Sequence, residues 1–141
     1  MKTSTALLVA CLFFAPYLDF SIPVAASDEI TTSWLLGSWD GTERSRGDVR
    51  TKIEFFQKGD AVHWKWNRKG VNFEADCEGD VTKLGPSELE MDGKYVYHTN
   101  LRARGGSVKV WLSRAGEDGL NGRAIGVDNS PWPISVTKTR K

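Results

Sequence analysis

Apolar residues recur at every second position along most of this chain, and nowhere do they repeat at helical spacing beyond a turn or two. Val49, Thr51, Ile53 and Phe55 share one face, with Arg50, Lys52 and Glu54 on the other. Val62, Trp64 and Trp66 then alternate with His63, Lys65 and Asn67, and Val71, Phe73, Ala75 and Cys77 with Glu74, Asp76 and Glu78. Tyr95, Tyr97 and Leu101 follow, then Val108, Val110 and Leu112 against Lys109 and Ser113, and finally Ile134 and Val136 against Ser135 and Thr137. Residues 120–127 fit two registers, because Leu120 and Ala124 compete with Ile125 and Val127. Between the runs stand Lys58-Gly59-Asp60, Arg68-Lys69-Gly70, Asp92-Gly93, Arg104-Gly105-Gly106 and Gly116-Glu117-Asp118-Gly119, all turn chemistry. Connections this short cannot make parallel crossovers, which need about a dozen residues. The pattern predicts an all-β chain: a single antiparallel up-and-down β-barrel of 8–9 strands, closed so that no long edge is left exposed. A short helix or turn within 27–36 precedes the first strand.

The first 26 residues break the alternation. Lys2 is followed by an apolar run from Ala6 to Ala15, and Val24-Ala25-Ala26 is a small-residue cleavage site. The run is shorter than the ~20 residues of a membrane span, and Pro16 and Asp19 interrupt it. The expectation is a signal peptide over 1–26, a barrel domain over 27–141, and an exported protein, periplasmic or extracellular. An uncleaved anchor and a lipobox at Leu8-Val9-Ala10-Cys11 are the alternatives. Cleavage leaves Cys77 alone, so the domain folds without an internal disulfide. The chain carries a formal charge of +1; losing Lys2 and Asp19 together leaves that unchanged, which argues against a nucleic-acid partner.

The inward face of the predicted barrel is aromatic. Trp39, Phe55, Trp64, Trp66, Phe73, Tyr95 and Tyr97 share it, and Trp132, held between Pro131 and Pro133, belongs at a mouth. Packed core and ligand pocket are both open readings. An eight-strand barrel can be filled by side chains or hold one small ligand, and buried indole and phenol groups need polar partners.

With Gly37-Ser38-Trp39-Asp40-Gly41 at the first strand, the meander of short strands, and Ile134-Ser135-Val136-Thr137-Lys138-Thr139-Arg140 at the end, the chain resembles the calycin group: lipocalins, fatty-acid-binding proteins, avidins and small bacterial lipocalin-like barrels. The resemblance implies that Gly37 admits the chain to the first strand and that Trp39 plugs one end. It also implies a basic residue over that indole, for which Arg140 has the right parity; a frayed terminal arginine is the alternative. The mid-chain lipocalin motif and disulfide are absent, and the biotin-binding pattern of avidins is not recognisable. Fold carries over this way; function hardly does.

No catalytic constellation stands out. His63 and His98 are single residues on polar faces, Cys77 has the parity of a buried thiol, and Gly-x-Ser-x-Gly and phosphate loops are missing. The acidic run Glu74, Asp76, Glu78 and Asp80 reads as a solvated face rather than a calcium site. Neither cofactor nor metal is expected. The function expected is non-catalytic binding of a small apolar or aromatic molecule in a cavity lined by Trp39, Phe55, Trp64, Trp66, Phe73, Tyr95, Tyr97 and Trp132, without stable membrane insertion. A filled barrel serving as an envelope interaction or inhibitor module is the first alternative. A hydrolase or isomerase using inward Thr51, Thr99 and tyrosines is the second.

Overall fold

The computed structural model describes residues 29–44, 48–72, 74–98, 105–127 and 129–140. The leader, Phe73, Thr99 and Leu101 lie outside the described residues. One helical turn, α1 (Thr32–Leu35), precedes eight strands: β1 (Gly37–Arg44), β2 (Asp48–Lys58), β3 (Ala61–Lys69), β4 (Glu74–Leu84), β5 (Glu88–Tyr97), β6 (Gly106–Ala115), β7 (Gly119–Ile125) and β8 (Pro131–Lys138). Each strand pairs with its neighbour in sequence, and β1 pairs antiparallel with β8, giving a closed up-and-down barrel. The predicted architecture is the observed one.

Alternation sets which side chains fill the barrel. On β3, Val62, Trp64, Trp66 and Arg68 are buried while Ala61, Lys65 and Lys69 are exposed. The ambiguity over 120–127 resolves in favour of Leu120 and Ala124, both fully buried, and Val127 lies outside the strand and exposed. One assignment fails. Val71 was expected on an inward face, yet it is 96% exposed, because β3 continues to Lys69 and β4 starts only at Glu74. Residues 70–72 are connection, so period-two counting there runs into a turn.

The two ends of the barrel differ. At the end where the β2–β3, β4–β5 and β6–β7 turns lie, α1 forms a plug, with the Ile30 amide bonded to the Pro86 carbonyl and the Trp34 indole N–H to the Glu117 carbonyl. Thr31 caps α1, its hydroxyl accepting from the Trp34 amide, and the turn buries Ile30 and Leu35. Trp39 donates its indole N–H to the Leu35 carbonyl at 2.9 Å and meets Trp34 edge-on at 4.9 Å. The Arg114 guanidinium stands 4.2 Å from the Trp34 ring, and the cation shared by both rings is Lys138. Its ammonium lies 5.5 Å from the Trp39 ring and 5.9 Å from Trp34, and it donates to the Trp34 carbonyl. Arg140, expected there, is instead 78% exposed and pairs with Asp118. Lys138 has the same parity one step nearer the barrel, and β8 ends with it; beyond, the Thr139 amide bonds to the Ser38 carbonyl.

Both glycines of the first-strand motif have a geometric reason. Gly37 has φ +118°, open to glycine and strained for other residues. At Gly41 an added Cβ would stand 1.9 Å from the Ser135 carbonyl oxygen on β8. The seam that closes the barrel therefore depends on a missing methyl group. Gly41→Ala is expected to destabilise the fold by about 3 kcal/mol or more, since backbone must move to relieve the overlap; urea unfolding followed by tryptophan emission measures it.

Candidate functional site

The opposite end, the mouth, carries a buried polar layer that the aromatic pattern did not announce. Glu43 on β1 is fully buried and Arg68 on β3 nearly so. Arg68 donates Nε–H to Glu43 Oε1 at 2.7 Å, and Trp132 on β8 donates its indole N–H to Glu43 Oε2 at 3.0 Å. The Arg68 guanidinium lies 5.3 Å from the Trp66 ring and 4.8 Å from the Trp132 ring. Trp66 in turn donates its N–H to the Thr51 hydroxyl. Among the described residues no buried side-chain polar atom lacks a partner.

Burial and charge oppose each other in this layer. Removal from water pushes the Glu43 carboxyl above its ordinary range, while Arg68, and then the Trp132 N–H, pull it back part of the way. Cys77 sits nearby with its thiol pushed up to about 12, chiefly by burial. A thiol held protonated in this way is a poor nucleophile. Outside the barrel, Asp76 is held below its ordinary value, first by a hydrogen bond from Asn67 and then by His98. His63 pairs with Asp80 and His98 with Asp76, both on the outer face. Among the described residues no group of three or more histidine, cysteine or acidic side chains is placed to hold a metal ion.

The aromatic residues expected to line a cavity separate into two sets. Trp39 and Trp64 are 0% exposed and Phe55 is 2% exposed. These three are packed core. Trp64 spends its N–H on the Asp80 carbonyl at 3.0 Å. Leu89, Met91, Val110, Leu112 and Leu120 complete this filled half, all fully buried. Towards the other end burial is less complete. Trp66 and Tyr95 are buried, whereas Tyr97 and Trp132 are partly exposed. Tyr95 and Tyr97 meet edge-on at 5.3 Å. Gly126 lies between Tyr95 and Trp132, 3.7 and 3.2 Å from the two rings by its would-be Cβ. Phe73 falls outside the described residues.

Glu43 and Arg68 are the members of this site that the pattern reading passed over. Their signal was present in the alternation: Glu43 has the parity of Trp39 and Gly41, and Arg68 that of Val62, Trp64 and Trp66. Compared with known proteins, the chain matches no family model and no curated protein.

Removing one partner of a buried pair strands the other charge, at a cost of about 3–5 kcal/mol. Arg68→Met, which leaves the Glu43 carboxylate buried without its cation, is expected to destabilise the barrel in that range at pH 7, and adding Glu43→Gln to recover a large part of the loss in urea unfolding. The pH dependence carries a sign of its own. With the folded pKa raised, the native state holds the Glu43 proton more tightly than the unfolded chain does. Glu43's contribution is therefore greatest below the ordinary value of 4.5 and falls as pH rises through the folded pKa. The unfolding free energy of wild type relative to Glu43→Gln should rise on acidification from neutral pH and level off below that value.

Proposed function

We propose that this protein is a non-catalytic binder of a small planar aromatic molecule, held at the barrel mouth on the layer formed by Trp66, Arg68 and Trp132. The reading includes export of the chain and membership of the calycin group, for which the closed eight-strand barrel and the Gly37-Ser38-Trp39-Asp40-Gly41 strand are the support. The observation that carries it is the gradient of exposure along the barrel axis. Below the Glu43–Arg68 layer the inward side chains are buried, and at its level Tyr97 and Trp132 are partly exposed. A molecule about one aromatic ring thick suits such a shelf. A long acyl chain, which needs depth, does not. The neutralised Glu43–Arg68 pair does not require an ion from the ligand.

The filled lower half also favours the second reading, a barrel that acts through its outer faces on a protein partner, because filled barrels have no interior to offer. The two separate in one experiment. Titration with 1-aminoanthracene, a neutral flat fluorophore, is expected to saturate and quench tryptophan emission, with palmitate failing to compete. Trp132→Ala should weaken the fluorophore by about tenfold, the worth of one stacked ring with its contact area. No saturable change with this or related flat probes would sink the mouth site and leave the second reading.

A further inference from the structure

The chain has six tryptophans, and five of them donate the indole N–H to a group of the protein itself. The sixth is Trp111, which points away from the core on the outer face of β6 and is partly exposed. Its N–H has no partner among the described residues. Burial of an indole inside a barrel needs no further explanation, but this one fills no part of the core. Its strand would keep its inward residues, Val108, Val110 and Leu112, with any side chain at that position.

The neighbours of Trp111 across the sheet supply complementary chemistry. The register sets Glu90 of β5 directly opposite on one side and Arg123 of β7 on the other. The Arg123 guanidinium stands 5.0 Å from the indole centroid, and the Lys109 ammonium stands 5.8 Å away. Lys109 is already engaged with Asp92, at 3.9 Å. The Glu90 carboxylate and the Arg123 guanidinium make no hydrogen bond or ion pair among the described residues. One row thus holds an acceptor, an aromatic ring with a free N–H, and a forked donor. Neighbouring strands lie about 4.8 Å apart, so the row spans about 10 Å.

We propose that this row is a binding site for a neutral pyranose-based glycan, on the outside of the barrel and separate from the mouth. A sugar ring presents C–H groups to the indole and hydroxyls at its rim. Each hydroxyl both donates and accepts, so Glu90 takes a hydrogen bond from one edge and Arg123 and the Trp111 N–H give to the other. A purely anionic partner suits the row less well, because Glu90 and Asp92 flank the cations. A purely apolar one leaves the unengaged carboxylate and guanidinium to be desolvated without compensation.

The test is calorimetric titration of the purified protein with cellohexaose, xylohexaose, laminarihexaose, maltohexaose, mannohexaose and chitohexaose. Saturable binding of at least one is expected, weakened by about tenfold or more in Trp111→Ala and several-fold in Arg123→Ala and Glu90→Gln. Trp111→Phe, which keeps a ring and loses the N–H, should fall between wild type and Trp111→Ala. Circular dichroism on each variant confirms that the barrel is intact, and variants at Glu90, Trp111 and Arg123 guard against one that fails to fold. Absence of saturable binding to any of the six sugars overturns the proposal. So does sugar binding that survives Trp111→Ala, or that Trp132→Ala abolishes, which would move it to the mouth. Binding of heparin alone, lost at high salt, would make the patch an anion site and overturn it as well.

Discussion

A meander of antiparallel strands ends with two unpaired edges, and each edge is a row of backbone groups wanting partners. Here both edges meet. β1 takes up β8 from Trp39↔Lys138 to Glu43↔Ile134, and neither is left open along that stretch. Everything else in the molecule follows from that seam. It curves the sheet until the inward aromatics face one another, and it brings Glu43 and Trp132, far apart in sequence, within hydrogen-bonding reach. It also explains where prolines are tolerated. Pro131 and Pro133 lie on the part of β8 that runs past its pairing with β1, where a missing N–H removes nothing from that side.

Within the barrel, burial and polarity sort themselves along the axis. The plugged half is a dry core whose indoles are each given one carbonyl or hydroxyl to satisfy. The other half keeps a charged pair that would be expensive alone and is made tolerable by three strands contributing to one network. Stability and the candidate function accordingly sit at opposite ends: the large aromatics below the charged layer fill space, and Tyr97 and Trp132 at its level present surface. The same residue type serves as plug, shelf and, outside the wall, platform, and what distinguishes the three is where the N–H goes.

Period-two alternation made the strand faces legible in the sequence, and the short connections between strands made the antiparallel order and the barrel legible. Strand ends were less legible. Val71 and Arg140 were both misplaced because parity continues to count after a strand has stopped, and only pairing partners tell where it stops. Glu43 and Arg68 had inward parity, but their charge suggested water and the second sat in a turn-like sequence. What makes them acceptable inside is each other, 25 positions apart in sequence, and a single strand's pattern carries no record of that. Trp111 was missed for the complementary reason: an outward aromatic breaks no rule of alternation.

The Glu43 carboxylate has a mechanical aspect too. It receives bonds from β3 and β8 while belonging to β1, so it acts as a crosspiece at the end of the barrel opposite α1. Strand ends beside open connections ordinarily fray, and their amides exchange with solvent through small local openings. A crosspiece couples three such ends, so that opening one means breaking the ties of the others. Amides in these parts of β1, β3 and β8 should thus exchange as one cooperative unit, with protection nearer to that of the plugged half than their position at a mouth would suggest.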